Sequence, residues 1–382
     1  MKHDLKILVA ASLGLATFTA STAFAADAAP TAPTLGSVLE ASGITATGYV
    51  AGSYTHLSTI GGSLHQFDTS HNTFSLNQAA LTVGYLPTDG FGGSATVMAG
   101  NDASVLNTAA GTSGDVAIPQ AFVQYKSGGF TLMAGRLLTI AGAEVIASTG
   151  NSNFSRGLLF TNLEPLFHTG VRTQFAPTDS VTLTLGVNNG WNLYSDNNTQ
   201  KTIEAGASFA PLKELSFALN VYFGNEADTT PAKHQGSTSL YDFLVTWSPT
   251  TDWTFVLNYD NKSVKSFNAL TAVAPQTATS YGYALYANWA INDNWRTSAR
   301  LERLKDDQYG MTTGISNKDE KVTGVTLTVG YLPTKHAEFD FEVRRDKADD
   351  AIFTEFGGAP VTQFGGNTDT QTELAVQALY KF

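Results

Sequence analysis

The chain of 382 residues contains no cysteine. Disulfides and thiolate metal sites are therefore closed to it, for stability and for chemistry alike. Long hydrophobic runs are missing too. The apolar stretch at 7–18 is too short to cross a bilayer, and no later window approaches the roughly 20 continuous apolar residues that a spanning helix needs. Charge is scarce: charged residues make up 14% of the chain against 42% hydrophobic, and the formal net charge is −11. Such an acidic chain lacks the basic face that displaces counterions from nucleic acid, which excludes that partner. Low charge density without a continuous apolar segment results when apolar residues are spread by alternation around a barrel wall.

At the start, Lys2 and Lys6 precede or flank the short apolar core, and Ala23-Phe24-Ala25 forms a small-x-small cleavage site. Residues 1–25 are expected to be a signal peptide, whose removal takes the net charge to about −12. Residues 26–42 read as a periplasmic lead-in. Within it LGSVLEAS, at 35–42, suits either one or two helical turns or an irregular segment.

From Gly43 onward the chain reads as amphipathic strands of about 10 residues, joined by connections that alternate between short and long. LTVGYLPT occurs at 81–88 and again at 327–334, and QFAPTDS, SFAPLKE and TWSPTTD repeat the strand-proline-turn pattern. Proline stops a ladder because it has no N–H to donate, and its fixed φ suits the first corner of a tight turn. Long polar connections are expected at about 57–72, 102–115, 140–165, 192–200, 226–236, 265–278, 306–318 and 348–368. Counting the segments between long and short connections predicts about 16 strands. The expected fold is all-β, a transmembrane antiparallel up-and-down barrel over 43–382, with short periplasmic turns and long extracellular loops. A barrel of 16 to 18 strands is wide enough for an aqueous channel. The last stretch, TQTELAVQALYKF, is the expected closing strand. Aromatics bracket the short turns, and amphipathic rings prefer the headgroup level; Trp247, Trp253, Trp289, Trp295, Tyr331, Tyr380 and Phe382 are expected to form a membrane girdle.

Charged side chains cost about 2 to 4 kcal/mol on the lipid face at mid-membrane, so they belong on the other face. Phe339, Phe341 and Val343 alternate with Asp340, Glu342 and Arg344; Trp295, Thr297, Ala299 and Leu301 alternate with Arg296, Arg300 and Glu302. His168, Arg172, Glu204, Asp242 and Asp260 join them as expected pore-lining residues. An interior collecting both signs either holds water or pairs its charges. Arg136 breaks the pattern: alternation from Phe130, Leu132 and Ala134 faces it outward, which predicts a bulge or a rim position. The connection at 140–165 is the most apolar of the long ones. It is expected to fold partly into the lumen, placing Glu144 near Arg296 and Arg300, unless its apolar residues extend the flanking strands.

SGITATGYVAGSYT at 42–55, TFSLNQAALTVG at 73–84, AGRLLTIAGAEVI at 134–146, NFSRGLLF at 153–160, FHTGVR at 167–172 and VNNGWNLYSDNNTQKTIEAGASF at 187–209 resemble the putative beta-barrel porin 2 (OmpL-like) family of Gram-negative outer-membrane proteins. An acidic residue often follows GYV in that family, where this chain has Ala51. The resemblance implies an outer-membrane location and pore activity, and it carries over no substrate. Insertion machinery of the outer membrane recognises a terminal aromatic strand in resembling barrels, so it is an expected partner, together with outer-membrane lipids.

A hydrolase needs a nucleophile, a base and an orienting group within hydrogen-bond reach. No serine motif pairs recognisably with His168, so an enzyme is not expected. His56, His65 and His71 share the first long connection, at a spacing that metal sites do not reuse, and neither a metal nor any other cofactor is expected. The expected function is a porin for passive diffusion of small hydrophilic solutes through a water-filled, mixed-charge lumen. The alternative is a closed structural or surface-binding barrel. General porins of this size are often trimers, but nothing in the sequence marks a protomer interface.

Overall fold

The computed structural model describes residues 34–60, 64–227, 235–267, 276–308, 311–313, 318–356 and 366–382. The expected signal peptide at 1–25 lies outside the described residues, as do parts of the connections expected at 57–72, 226–236, 265–278, 306–318 and 348–368. The first element is helix α1 (Leu35–Ser42), capped by the Thr34 hydroxyl at its start and by Gly43 at φ 69° at its end. Strands β1 (Thr45–Leu57), β2 (Thr73–Tyr85) and β3 (Gly90–Ala99) follow, then helix α2 (Asn101–Ala109), β4 (Val116–Ser127) and β5 (Phe130–Leu138). A short helix α3 (Leu158–Asn162) precedes β6 (Phe167–Thr178), β7 (Val181–Asn188), β8 (Thr202–Leu212) and β9 (Leu215–Ala227). The wall is completed by β10 (Gln235–Trp247), β11 (Trp253–Phe267), β12 (Gln276–Asn292), β13 (Trp295–Asp306), β14 (Glu320–Tyr331), β15 (Ala337–Ala348) and β16 (Thr370–Lys381).

Each strand pairs antiparallel with its sequence neighbours, and β16 pairs with β1 to close the barrel. Closure is needed because no water in the hydrocarbon region can satisfy an open edge. The last pair is Gly48 with Phe382, which exchange hydrogen bonds of 3.0 and 2.9 Å. A Cβ on Gly48 would stand 2.5 Å from the Phe382 ring, so glycine is what lets that ring lie flat on the outer wall.

Side-chain exposure is inverted relative to a protein in water. Leu185, Val325 and Phe341 are half exposed, whereas Asp242, Glu302 and Arg344 are fully buried. Along β15 the two classes alternate residue by residue, as expected when lipid meets one face and the interior holds the other. Among the described residues no helix is long and apolar enough to cross a membrane; the strands do that work. Trp253 and Trp289 are register partners whose rings stack at 5.2 Å, and Trp295 meets Tyr331 at 4.7 Å, both beside short turns.

Two local expectations change. Proline does not end every ladder: Pro177 and Pro211 sit inside β6 and β8, where the register shifts and one further pair forms beyond them. The missing N–H falls within the irregularity, so no ladder bond is lost there. The polar connection expected at 102–115 carries helix α2 and is partly apolar, its Ala103 and Leu106 packing on Ala80 and Met98. Arg136 stands where β4–β5 pairing ends, beside a register shift in β4. Its guanidinium donates to the Ile118 carbonyl at 2.5 Å and lies 3.7 Å over the Tyr194 ring.

Candidate functional site: the third loop and the inner wall

The third long loop, L3 (139–166), contacts inner-wall residues of β2, β8, β9, β11 and β13–β15, which places it inside. On one side, Gln78 of β2 donates to the Ile146 carbonyl at 2.9 Å and accepts from the Ser148 N–H at 3.0 Å. On another, the Ile140 carbonyl accepts from Asn220 of β9, and the Ala143 N–H donates to Asn258 of β11. A few strands round from Gln78, past β1 and β16, the NFSRGLL segment docks on β13, β14 and β15.

That docking uses backbone groups. The N–H groups of Phe154 and Ser155 donate to Glu342 at 2.7 and 2.9 Å and that of Leu158 to Glu302 at 2.8 Å, while within the loop Gly157 donates to Glu144 at 2.6 Å. Glycine at 157 leaves room for the Glu302 contact, since a Cβ there would lie 2.2 Å from the Glu302 carboxylate and push it from its place. Arg156 holds the loop's own shape by donating to the carbonyls of Val145, Phe154 and Ile146. Glycines in the wall admit the loop's apolar side chains: a Cβ on Gly282 would meet Leu159 at 2.9 Å, and one on Gly206 would meet Ile140 at 2.8 Å.

The twelve expected pore-lining residues fall into separate groups. Arg300 joins Glu144 of L3 and Glu302 of its own strand, each at 2.7 Å, and also donates to the Ser155 carbonyl. Glu342 lies at the same docking surface, and Arg344 donates to the Arg156 carbonyl at 2.7 Å. Arg296 bridges Glu338 and Asp340, each at 2.6 Å, nearer the short turns. Arg172 and Glu204 form a two-pronged pair at 2.5 and 2.8 Å on the β6–β8 side, where His168 stacks on Tyr222 at 4.9 Å. Asp242 and Asp260 share the Asn258 amide. Near them stands Glu164 of L3, whose carboxyl burial pushes well above the usual range, with Asp242 adding to that rise. Buried charges of this kind are tolerated because each has a partner or takes up a proton.

Sequence reasoning missed Gln78, Glu338 and Arg156. Gln78 looks like one polar residue in an alternating strand, yet it contacts Tyr49, Asp102, Ile146 and Ser148. The available signal was the NFSRG run, a polar, glycine-containing segment inside an otherwise apolar loop.

Asp102 of α2 receives the Gln78 amide at 2.6 Å. Burial raises its pKa to about 7, and Arg156 only partly opposes this. Because the folded value lies above the ordinary 3.8, the folded state holds this proton more tightly, and the associated stability is full below about pH 4 and lost as pH rises through 7. Amide exchange in α2 should therefore accelerate between pH 5 and 8 beyond its intrinsic trend, and D102N should abolish that excess. An identical pH trend in D102N would refute the assignment.

Taken together, a closed sixteen-stranded barrel with an apolar outer face and a long loop folded across its interior defines the outer-membrane porin class. The chain belongs to the family described as Putative beta-barrel porin-2, OmpL-like, which it matches over residues 43–382. Solved structures share the fold at low identity. OmpT, an outer-membrane protein of Vibrio cholerae solved in a trimer form, aligns with a TM-score of 0.61 at 15% identity, covering 89% of this chain and 99% of that one. An anion-selective porin from Comamonas acidovorans gives 0.59 at 12% identity, with 89% and 99% covered. The outer-membrane channel DcaP of Acinetobacter baumannii gives 0.57 at 14%, with 89% and 97% covered. A comparison with curated proteins gave no match.

Proposed function

We propose that the protein is a non-enzymatic channel for passive diffusion of small hydrophilic solutes across the outer membrane of a Gram-negative bacterium. The observation that carries this reading is the contrast between the two sides of L3. Toward β10–β15 most of the charged wall is paired and buried beneath the loop. Toward β2–β8 and the short turns, the inner wall stays partly accessible and presents Thr82, Thr96, Gln120, Gln124, Thr131, Gln174 and Thr184. A passage lined by hydroxyl and amide groups exchanges a solute's hydration shell for equivalent hydrogen bonds without a strong preference for charge sign. The buried charges then act mainly by holding L3 in place, with a modest bias from those at its edge.

Outer-membrane lipids would contact the apolar face, and the insertion machinery would read the closing strand. The trimer form of the Vibrio cholerae relative supports a trimer here. Reconstitution into a planar bilayer tests the channel. Discrete conductance steps are expected, with weak ion selectivity. A folded protein that shows no steps at any voltage would favour the alternative of a closed barrel, which the burial of the wall beneath L3 also fits.

A further inference from the structure

The first long loop, L1 (58–72), contributes His65 and Asp68 to a buried cluster with Asp346 of β15 and Glu373 of β16. His65 Nε2 lies 2.9 Å from Asp346 Oδ2. That contact suits the tautomer with its proton on Nε2, so the Nδ1 lone pair points the other way. There it faces carboxylates: Asp68 Oδ2 at 2.6 Å and Glu373 Oε2 at 3.4 Å. His65, Asp68, Asp346 and Glu373 all have side chains that are at most 1% exposed. Asp68 Oδ1 and both oxygens of Glu373 have no hydrogen-bond partner, and Nδ1 faces only the oxygens of Asp68 and Glu373.

Nδ1 and Asp68 Oδ2 at 2.6 Å must share a proton or a metal ion, and the three other buried carboxylate oxygens are costly to leave alone unless a proton or a cation joins them. Three carboxylates stand against one guanidinium, that of Arg344, which lies 3.0 Å from Asp346 and 3.8 Å from Asp68. With His65 neutral, as a metal ligand must be, the excess is two negative charges, the amount a divalent ion neutralises. We propose that His65, Asp68 and Glu373 bind a divalent transition-metal ion, with Asp346 orienting the histidine from its other ring nitrogen.

The donor set selects the class of ion. Calcium and magnesium take all-oxygen shells, whereas one imidazole nitrogen with two carboxylates suits zinc or manganese. A ligating histidine that gives its second N–H to a carboxylate is the usual arrangement at such centres. The ligands come from a loop and a wall strand, so the ion clamps L1 onto the barrel. L1 in turn bears on L3: the Phe67 ring lies 6.1 Å from that of Phe160 and under the Arg156 guanidinium at 5.4 Å. This site stands on its own geometry and does not depend on the transport reading.

The test uses the full barrel folded in detergent, stripped with chelator and titrated with zinc chloride or manganese chloride alone, by calorimetry and by metal analysis after dialysis. One ion per chain is expected, together with a higher Tm. H65A, D68N and E373Q should each bind at least about tenfold more weakly and lose the Tm gain, while H336A, which alters a histidine at the short-turn end, should match the parent chain. Heat-modifiable electrophoretic mobility reports whether each variant is folded. Should E373Q fail that check, the loop variants H65A and D68N decide. Absence of stoichiometric zinc or manganese uptake, or uptake that survives in folded H65A and D68N, would overturn the proposal. Binding of calcium alone would overturn the class of ion.

Discussion

Joining Ala143 directly to Leu158, by deleting residues 144–157, is expected to raise single-channel conductance at least about twofold, because an unobstructed barrel of this strand number leaves a wide aqueous lumen. The deletion removes Glu144 from Arg300 and takes the loop's N–H donors from Glu342. Water then enters and solvates those groups, so they are not left buried and unpaired. The wall keeps Glu302, Glu338, Asp340, Glu342 and Asp346 against Arg296, Arg300 and Arg344, so the reversal potential should also shift toward cation preference. A folded deletion variant with unchanged conductance would remove L3 as the constricting element.

The second large effect concerns assembly. Removing Phe382 should lower the fraction of chains recovered as folded, membrane-inserted barrels several-fold, while the molecules that do insert conduct normally. Phe382 supplies the final reciprocal hydrogen-bond pair with Gly48, and its ring covers that residue on the outer wall. Losing it opens the seam at its end and takes an aromatic from the interfacial level. G48V separates two causes. If seating of the ring matters, G48V lowers yield as well; if only recognition of the terminal aromatic matters, G48V assembles normally. Normal yield from the Phe382 deletion would refute both.

Strand number, closure and facing were legible because they depend on short-range periodicity. Each strand must present alternate residues to lipid, so Val325, Leu327 and Val329 declare one face and Asp340, Glu342 and Arg344 the other without knowledge of any partner. Turn positions followed from proline and aromatics for the same local reason. Legibility was only partial where alternation is interrupted. At Pro177 and Pro211 a bulge absorbs the proline; at Arg136 the broken alternation signalled a bulge or rim position, and the structure shows pairing ending beside an irregular stretch of β4.

The interior follows different rules. Glu144 meets Arg300 across 156 residues of sequence, Phe154 meets Glu342 across 188, and His65 meets Asp346 across 281. No period links such positions. A charged residue on an inward face looks the same in the sequence whether it lines water, pairs with a neighbour or anchors a loop. The sequence by itself determined a lipid-facing barrel of about sixteen strands and sent its charges inward, because lipid penalises each misplaced charge one strand at a time. Only the tertiary structure decided that those charges are paired beneath L3, that NFSRG docks through its backbone, and that L1 brings His65 to the wall. These contacts exist only after the barrel has closed and confined the loops within it.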